Sequence, residues 1–433
     1  MKKNLAEEIF SAAVSAVKPD NFLPSLIKKK GNKIIIGEKE FEKAKGKLVV
    51  ISVGKAAAAM AAALEVICGD WIDKGIVVTK YGHALPLRYL SCFETGHPVP
   101  DDKGVEAARN IQSILRGLSE DDLVLCLISG GASALVADIP EGISLEEYQQ
   151  LSTALLHCGA NIQEINIIRK KVAFLKGGKL AKLALPAGVI SVILSDVIGN
   201  PLDIIASGLT VPDPATPQDA LKIIEKYRVE DKIPHSIIKF IKVQSEQKEY
   251  GSFIPEKLHN ILAATNRIAL EAAAAKAKEL GYHTEIITDS LEGEASEVGK
   301  KLAGEALQYS GNTPACLLYG GETTVTIKGN GKGGRNQELV LSSLIELQKQ
   351  NVSGITILSA GTDGTDGPTD TAGAAGDIHL IRNAISKGLN PEEYLHNNDA
   401  YTFFSTAGGL LITGATGTNV MDIIVVLIDR NKN

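Results

Sequence analysis

The sequence predicts an α/β fold in two domains: a Rossmann-like N-terminal domain with a parallel sheet over 1–245, and a C-terminal domain with a mixed sheet over 255–433. Runs rich in valine, isoleucine and leucine recur between helical patterns with little alternation, as parallel strands covered on both faces require. At 433 residues the chain exceeds what one hydrophobic core comfortably fills. A polar stretch, VQSEQKEYGSFIPEK at 243–257, breaks the rhythm and marks the boundary.

In the first half the expected strands are KLVVISVG (47–54), GIVVTK (75–80), DLVLCLISG (122–130) and GVISVILSD (188–196). Helices are expected over 55–67, 101–116 and 144–158, the second opened by Asp101-Asp102, so that the strands are joined by right-handed crossovers. The run Lys28-Lys29-Lys30 is expected to be a solvated loop. The second half begins with a strand HNILAAT (259–265), a helix 266–280, a strand YHTEIITD (282–289) and a helix 293–308. Strands ACLLYGG (315–321) and ETTVTIKG (322–329), a helix 335–348 and a strand GITILSAG (354–361) come next. The series closes with LLITG (410–414) and MDIIVVLID (421–429). The alternation Thr-Val-Thr-Ile-Lys within 322–329 suits an exposed hairpin arm.

Composition narrows the function classes. A net charge of −6 with both signs interspersed argues against a nucleic-acid partner. No segment reaches the roughly 18 uninterrupted apolar residues of a membrane span, and Glu7 and Glu8 interrupt the only stretch resembling a signal peptide. The five cysteines are far apart and form no C-x-x-C pair, as expected of reduced thiols in a cytoplasmic protein.

Ligands of open α/β sheets sit outside the carboxyl ends of the strands, so those loops carry the functional reading. Gly54-Lys55 is not a P-loop, because position 49 is valine and position 56 is alanine where the pattern needs glycine and a hydroxyl. A glycine turn opening a helix nevertheless offers an anion unpaired N–H groups. Ser129-Gly130-Gly131-Ala132-Ser133 suits either close helix–sheet packing or an anion cradle. Ser195-Asp196, with Asn200 and Asp203 beyond it, places polar groups beside an apolar run. In the second half, GNGKGGRNQE (329–338) matches G-x-G-x-x-G at Gly329, Gly331 and Gly334, but the alternating strand before it is unlike a buried first Rossmann strand. A flexible loop delivering Arg335 and Asn336 into a cleft is the expectation. The loop 361–370, with Asp363, Asp366 and Asp370, suits magnesium held by one or two carboxylates plus substrate phosphates. Cations, carboxylates and glycine loops together describe a phosphate-handling enzyme, since phosphoryl transfer rests on positioning and charge stabilisation.

The stretches SVGKAAAAMA, ETGHPVPDDKG, LISGGASALV, INIIRKKVAFLKGGKLA, SDVIGNPLDIIASGLTVPDPAT, GGETTVTIKGNGKGGRNQE, SAGTDGTDGPTDTAGA and NNDAYTFFSTAGGLLITGATGTNVMDI resemble the class II glycerate kinases, the glycerate 2-kinases. The match runs in order along nearly the whole chain. It departs at Leu209, where the family's IASG is usually followed by proline.

The resemblance implies ATP- and magnesium-dependent phosphorylation of D-glycerate to 2-phosphoglycerate, in two α/β domains with the active site in the interdomain cleft. It implies Lys55 and Arg335 as active-site residues. On this scheme Asp196 orients or deprotonates the 2-hydroxyl, while Glu322, Asp363 or Asp366 holds magnesium. Gly54, Ser129, Gly130, Gly131, Ser133, Gly334 and Asn336 contact substrate or nucleotide. The protein is expected as a monomer or homodimer. Some relatives carry hydroxypyruvate reductase names, which supplies a nicotinamide-dependent alternative.

Overall fold

A computed structural model describes residues 2–246, 256–311 and 313–429. Its strands, in chain order, are β1 (Ile27–Lys30), β2 (Lys33–Ile36), β3 (Lys39–Glu42), β4 (Leu48–Val53), β5 (Ile72–Lys80), β6 (Ser91–Thr95), β7 (Leu123–Ile128), β8 (Gly188–Leu194) and β9 (Leu258–Ala264). They continue as β10 (His283–Leu291), β11 (Ala315–Gly321), β12 (Ile355–Gly361), β13 (Gly373–Asp377), β14 (Leu410–Leu411) and β15 (Asp422–Ile428). Among the described residues no helix is long and apolar enough to cross a membrane.

The chain divides into two compact units, one of residues 22–263 and one of residues 1–21 with 264–433. In the first unit six strands form a sheet in the order β6-β5-β4-β7-β8-β9. Counted from β4, this is the doubly wound order 3-2-1-4-5-6. The pairings β5–β6, β4–β5, β4–β7 and β7–β8 are all parallel. Every residue of β4 and β7 is buried, as their near-continuous apolar runs, interrupted only by Ser52 of β4, require. The second unit holds a six-stranded mixed sheet, β10-β11-β15-β12-β13-β14. There β10 and β11 are parallel, and β15 runs antiparallel to both β11 and β12.

The division departs from the expected 1–245 and 255–433 at two places. The helix Lys2–Ala16 belongs with the later residues: Ala6, Ile9, Phe10, Ala13 and Val14 form one buried stripe at helical spacing. Lys2 Nζ lies 2.8 Å from Asp429 Oδ1, and Thr418 Oγ1 donates to the Val17 carbonyl at 2.7 Å. Conversely, β9 completes the first sheet, beside β8, where the Val189 N–H donates to the Lys257 carbonyl at 3.0 Å. Most of the polar stretch 243–257 lies outside the described residues.

Two local expectations also change. Lys28, Lys29 and Lys30 are the exposed part of a strand in a small antiparallel sheet, β1-β2-β3, whose inward anchors are Ile27, Ile34 and Ile36. Residues 322–329 make no strand; their one ladder contact is an isolated bridge between Glu294 and Thr324.

Candidate active site

In the first unit the strand order reverses between β4 and β7, and the loops after these two strands form the first cluster. The Lys55 N–H donates to the Gly130 carbonyl at 2.9 Å and the Ser129 N–H to the Val53 carbonyl at 2.9 Å, locking the loops together. Ser129 Oγ accepts from the Ala56 N–H at 3.1 Å. It thereby serves the start of the helix Ala57–Cys68, which has no side-chain cap of its own. Asp196, at the end of β8, lies so close over Gly130 that a Cβ there would overlap its carboxylate. At Gly131, φ +84°, a Cβ would stand 3.1 Å from both the Lys55 side chain and the His97 ring. Lys55, Ser129, Gly130 and Asp196 thus lie together, with His97 beside them.

The electrostatics arise from this crowding. Burial first, then the charges of Lys55 and Lys80 nearby, lowers the His97 pKa to about 4, so the imidazole is neutral at pH 7. Among the described residues the Lys55 ammonium has no hydrogen-bond or ion-pair partner. Ser133 Oγ lies 2.8 Å from Ser207 Oγ. Ser207 is the middle of three consecutive left-handed residues, Ala206, Ser207 and Gly208. The Gly177 and Gly178 N–H groups hold this run by donating to the Ser207 and Gly208 carbonyls at 3.0 and 2.7 Å. Leu209, the departure from the family pattern, is buried in the core beside it.

Beneath this run lies a feature that sequence reasoning missed. Lys170, Lys171 and Lys176 are buried, and their counter-charges are Asp203, Asp213 and Asp138. Lys179 donates to the Lys170 and Ala173 carbonyls, and burial lowers its pKa to about 8. The stretch KKVAFLKGGK looks solvated on charge alone; its distant aspartates are what allow burial.

The second unit carries the other cluster. Arg335 opens the helix Arg335–Lys349. Its Nε and Nη2 donate to Asp422 Oδ2 and Oδ1 at 2.6 and 2.8 Å, and its Nη1 lies 2.7 Å from Glu322 Oε1. Burial alone would lower the guanidinium pKa; Asp422, Glu322 and Asp366 outweigh it and raise it. Asp422 was not among the expected residues. It sits at the start of β15, opposite Gly321 of β11 and Gly361 of β12. Because β15 runs antiparallel to both, its N-terminal end coincides with their C-terminal ends. Attention to the loops after each strand alone passes over it.

Three expected residues take structural positions. Asp366 is buried and accepts from the Asn336 and Gln337 backbone N–H groups at 3.1 and 2.9 Å and from their side-chain amides at 3.3 and 2.9 Å. It caps the helix that Arg335 opens, and burial pushes its pKa up to about 6. Asn336 is buried as well, its carbonyl accepting from Ser359 Oγ at 2.5 Å, so its side chain is engaged within the protein. At Gly334 a Cβ would overlap the Asp366 carboxylate. All three therefore set the helix end in place.

The expected mobile loop is stitched down. Asn397, Asn398 and Asp399 accept side-chain hydrogen bonds from the backbone N–H groups of Lys328, Gly329, Asn330 and Lys332 at 2.7–3.1 Å. Side chains on Gly329 and Gly331 would collide with Asn397 and Asp399. These glycines serve close packing, and with no buried strand before them the dinucleotide fingerprint has no structural basis.

The carboxylates are dispersed for a metal site. Among the described residues no three His, Cys, Asp or Glu side chains are grouped to hold an ion. Both Asp422 oxygens face Arg335, whereas Asp363 has one oxygen, Oδ1, engaged with the Thr365 N–H and hydroxyl at 2.9 and 3.0 Å. Asp363 Oδ2 is the carboxylate oxygen here that could help hold an ion carried by phosphates.

Comparison with known proteins places this arrangement. Residues 5–242 match a family model described as a domain of unknown function (DUF4147), and residues 315–422 match the MOFRL family. The D-glycerate 2-kinase of Thermotoga maritima is 41% identical over 98% of this chain and 98% of its own. A crystal structure of glycerate kinase from the same organism superposes with a TM-score of 0.89, at 42% identity, covering 98% of this chain and 99% of that one. A protein of Agrobacterium vitis, provisionally named hydroxypyruvate reductase, is 39% identical over 98% of this chain and 94% of its own.

Proposed function

Because this chain belongs to the glycerate 2-kinase family, we propose that it transfers the γ-phosphoryl group of ATP to the 2-hydroxyl of D-glycerate, giving 2-phosphoglycerate and ADP. The observation that carries this reading is Lys55: an ammonium without a counter-charge among the described residues, at a helix start beside the strand reversal, suits a bound anion.

The 2-hydroxyl oxygen attacks the γ-phosphorus while the bond from phosphorus to the ADP oxygen breaks. Asp196 takes the hydroxyl proton. Lys55 and Arg335 stabilise the charge on the phosphoryl oxygens and the glycerate carboxylate. Asp422 and Glu322 hold the guanidinium in one orientation, and Asp366 fixes the helix end that carries it. Asp363 would hold magnesium together with the nucleotide phosphates. Bound there, the ion neutralises phosphate charge that the acidic loops would otherwise repel. The reading takes the enzyme as cytoplasmic, monomer or homodimer.

Incubation with ATP, magnesium and D-glycerate tests it. The product should be a direct substrate of enolase, with transfer abolished by excess EDTA. A product that needs phosphoglycerate mutase before enolase refutes the regiochemistry. Oxidation of NADH by hydroxypyruvate, without kinase activity, would favour the reductase instead.

A further inference from the structure

A cavity of about 250 Å³ opens in the 22–263 unit, with Ser133 and Pro98 among its lining residues. Its walls include Val99, Pro100, Ala134, Tyr148 and Leu156. Two of these are large apolar side chains left open at the surface, Val99 at 61% and Leu156 at 66% exposure. The polar wall groups mostly bond within the protein: Ser152 Oγ to the Tyr148 carbonyl at 3.1 Å, Thr153 Oγ1 to the Gln149 carbonyl at 3.0 Å, and Gln149 Nε2 to the Pro100 carbonyl at 2.7 Å. Arg169 is the exception. It lines the cavity half-buried, with no hydrogen-bond or ion-pair partner among the described residues.

The lining suits a ligand with an apolar body and a negative charge. A three-carbon hydroxy acid is too small and too polar for these walls. Pockets for drug-sized ligands run to ~300–1,000 Å³, so a cavity of 250 Å³ takes a heterocycle with part of its sugar rather than a whole nucleotide. An unpaired guanidinium both stacks on planar rings and attracts phosphate. Two lining residues, Ser133 and Pro98, give the direction of the remainder. Ser133 lies just past Gly131, and Pro98 just past His97, the two residues whose backbone and ring crowd the Lys55 side chain.

We propose that this cavity seats the purine base of the phosphoryl donor, its phosphates leading past Ser133 to Lys55. The proposal rests on the kinase reading for its ligand, and the experiment separates the two. Ser152→Trp fills the cavity, and Arg169→Ala removes its cation without touching the acceptor chemistry. ADP and inorganic tripolyphosphate are titrated into each folded variant, and KM is measured for ATP and D-glycerate separately. Both variants should weaken ADP binding and raise KM for ATP by roughly tenfold. KM for D-glycerate should stay near wild type, and Ser152→Trp should leave tripolyphosphate binding unchanged. A rise confined to the D-glycerate KM, or unchanged ADP binding in both variants, overturns the proposal. If Ser152→Trp fails to fold, Arg169→Ala decides. If the wild-type protein shows no kinase activity while both variants still weaken ADP binding, the base site stands and the kinase reading falls.

Discussion

Asp422 receives Arg335 through two parallel hydrogen bonds, Nε to Oδ2 at 2.6 Å and Nη2 to Oδ1 at 2.8 Å. A carboxylate and a guanidinium match in this way as two planar forks, which fixes orientation as well as charge. Lysine keeps the charge and loses the fork. Arg335→Lys should therefore lower kcat by ~10²–10³-fold. Asp422→Asn should lower it in the same direction. Lys332→Ala, whose ammonium lies 4.2 Å from the Tyr401 ring centre, should leave kcat near wild type. Steady-state kinetics beside thermal melts check this, and a near-normal kcat for a folded Arg335→Lys enzyme contradicts the role.

Lys55 should show the opposite balance of activity and stability. Among the described residues its ammonium makes no hydrogen bond or ion pair, and it stands beside His97. Lys55→Met removes an uncompensated charge, so the melting temperature should hold or rise while kcat falls by ~10²–10³-fold. A large drop in melting temperature would mark Lys55 as structural.

Gly334→Ala tests whether the helix start is pre-set. The added methyl would overlap the Asp366 carboxylate that caps the helix. Overpacking of this kind destabilises by ~1–3 kcal/mol. Denaturant unfolding should show that loss together with a fall in kcat, because Arg335 moves with its helix. Unchanged stability would mean that the cap tolerates displacement.

Acidification should weaken the fold through His97. Its native pKa is lowered to about 4, while the unfolded imidazole titrates near ~6.5. Between these values the unfolded chain binds the extra proton at this site, so the His97 contribution to stability falls as pH drops from about 6.5 towards 4. Below about 6 it is opposed by Asp366, whose raised pKa favours the native state on protonation. His97→Gln should flatten that part of the pH–stability profile. An equally steep profile in the variant would place the titrating group elsewhere.

The buried strands were legible because β4, β7 and β8 are short, mostly apolar runs without alternation, the pattern expected of burial on both faces. The loops after them were legible for the same reason, since strand order then locates Lys55 and Ser129. Strand β1 was not, because its three lysines are exposed and the burial in that small sheet lies on Ile27, Ile34 and Ile36. The stretch 322–334 misled because alternation suggests a strand and glycine suggests mobility. Its backbone instead bonds to Asn397, Asn398 and Asp399, which lie far away in sequence. Asp422 and the buried lysines share one cause: each is explained by a partner remote in the chain, and local pattern carries no record of it.

The helix Lys2–Ala16 has a consequence for biosynthesis. It closes over a unit whose strand β15 comes last, and Val17 and Thr418 bond across 401 positions. At ~5–20 residues per second, a ribosome takes on the order of 20–80 s to span that gap. Residues 22–263 can condense as one continuous segment in the meantime. The greasy stripe of Ile9, Phe10 and Val14 cannot yet be covered by its native neighbours. The nascent protein thus carries a sticky tag through most of its synthesis, a natural foothold for a holding chaperone.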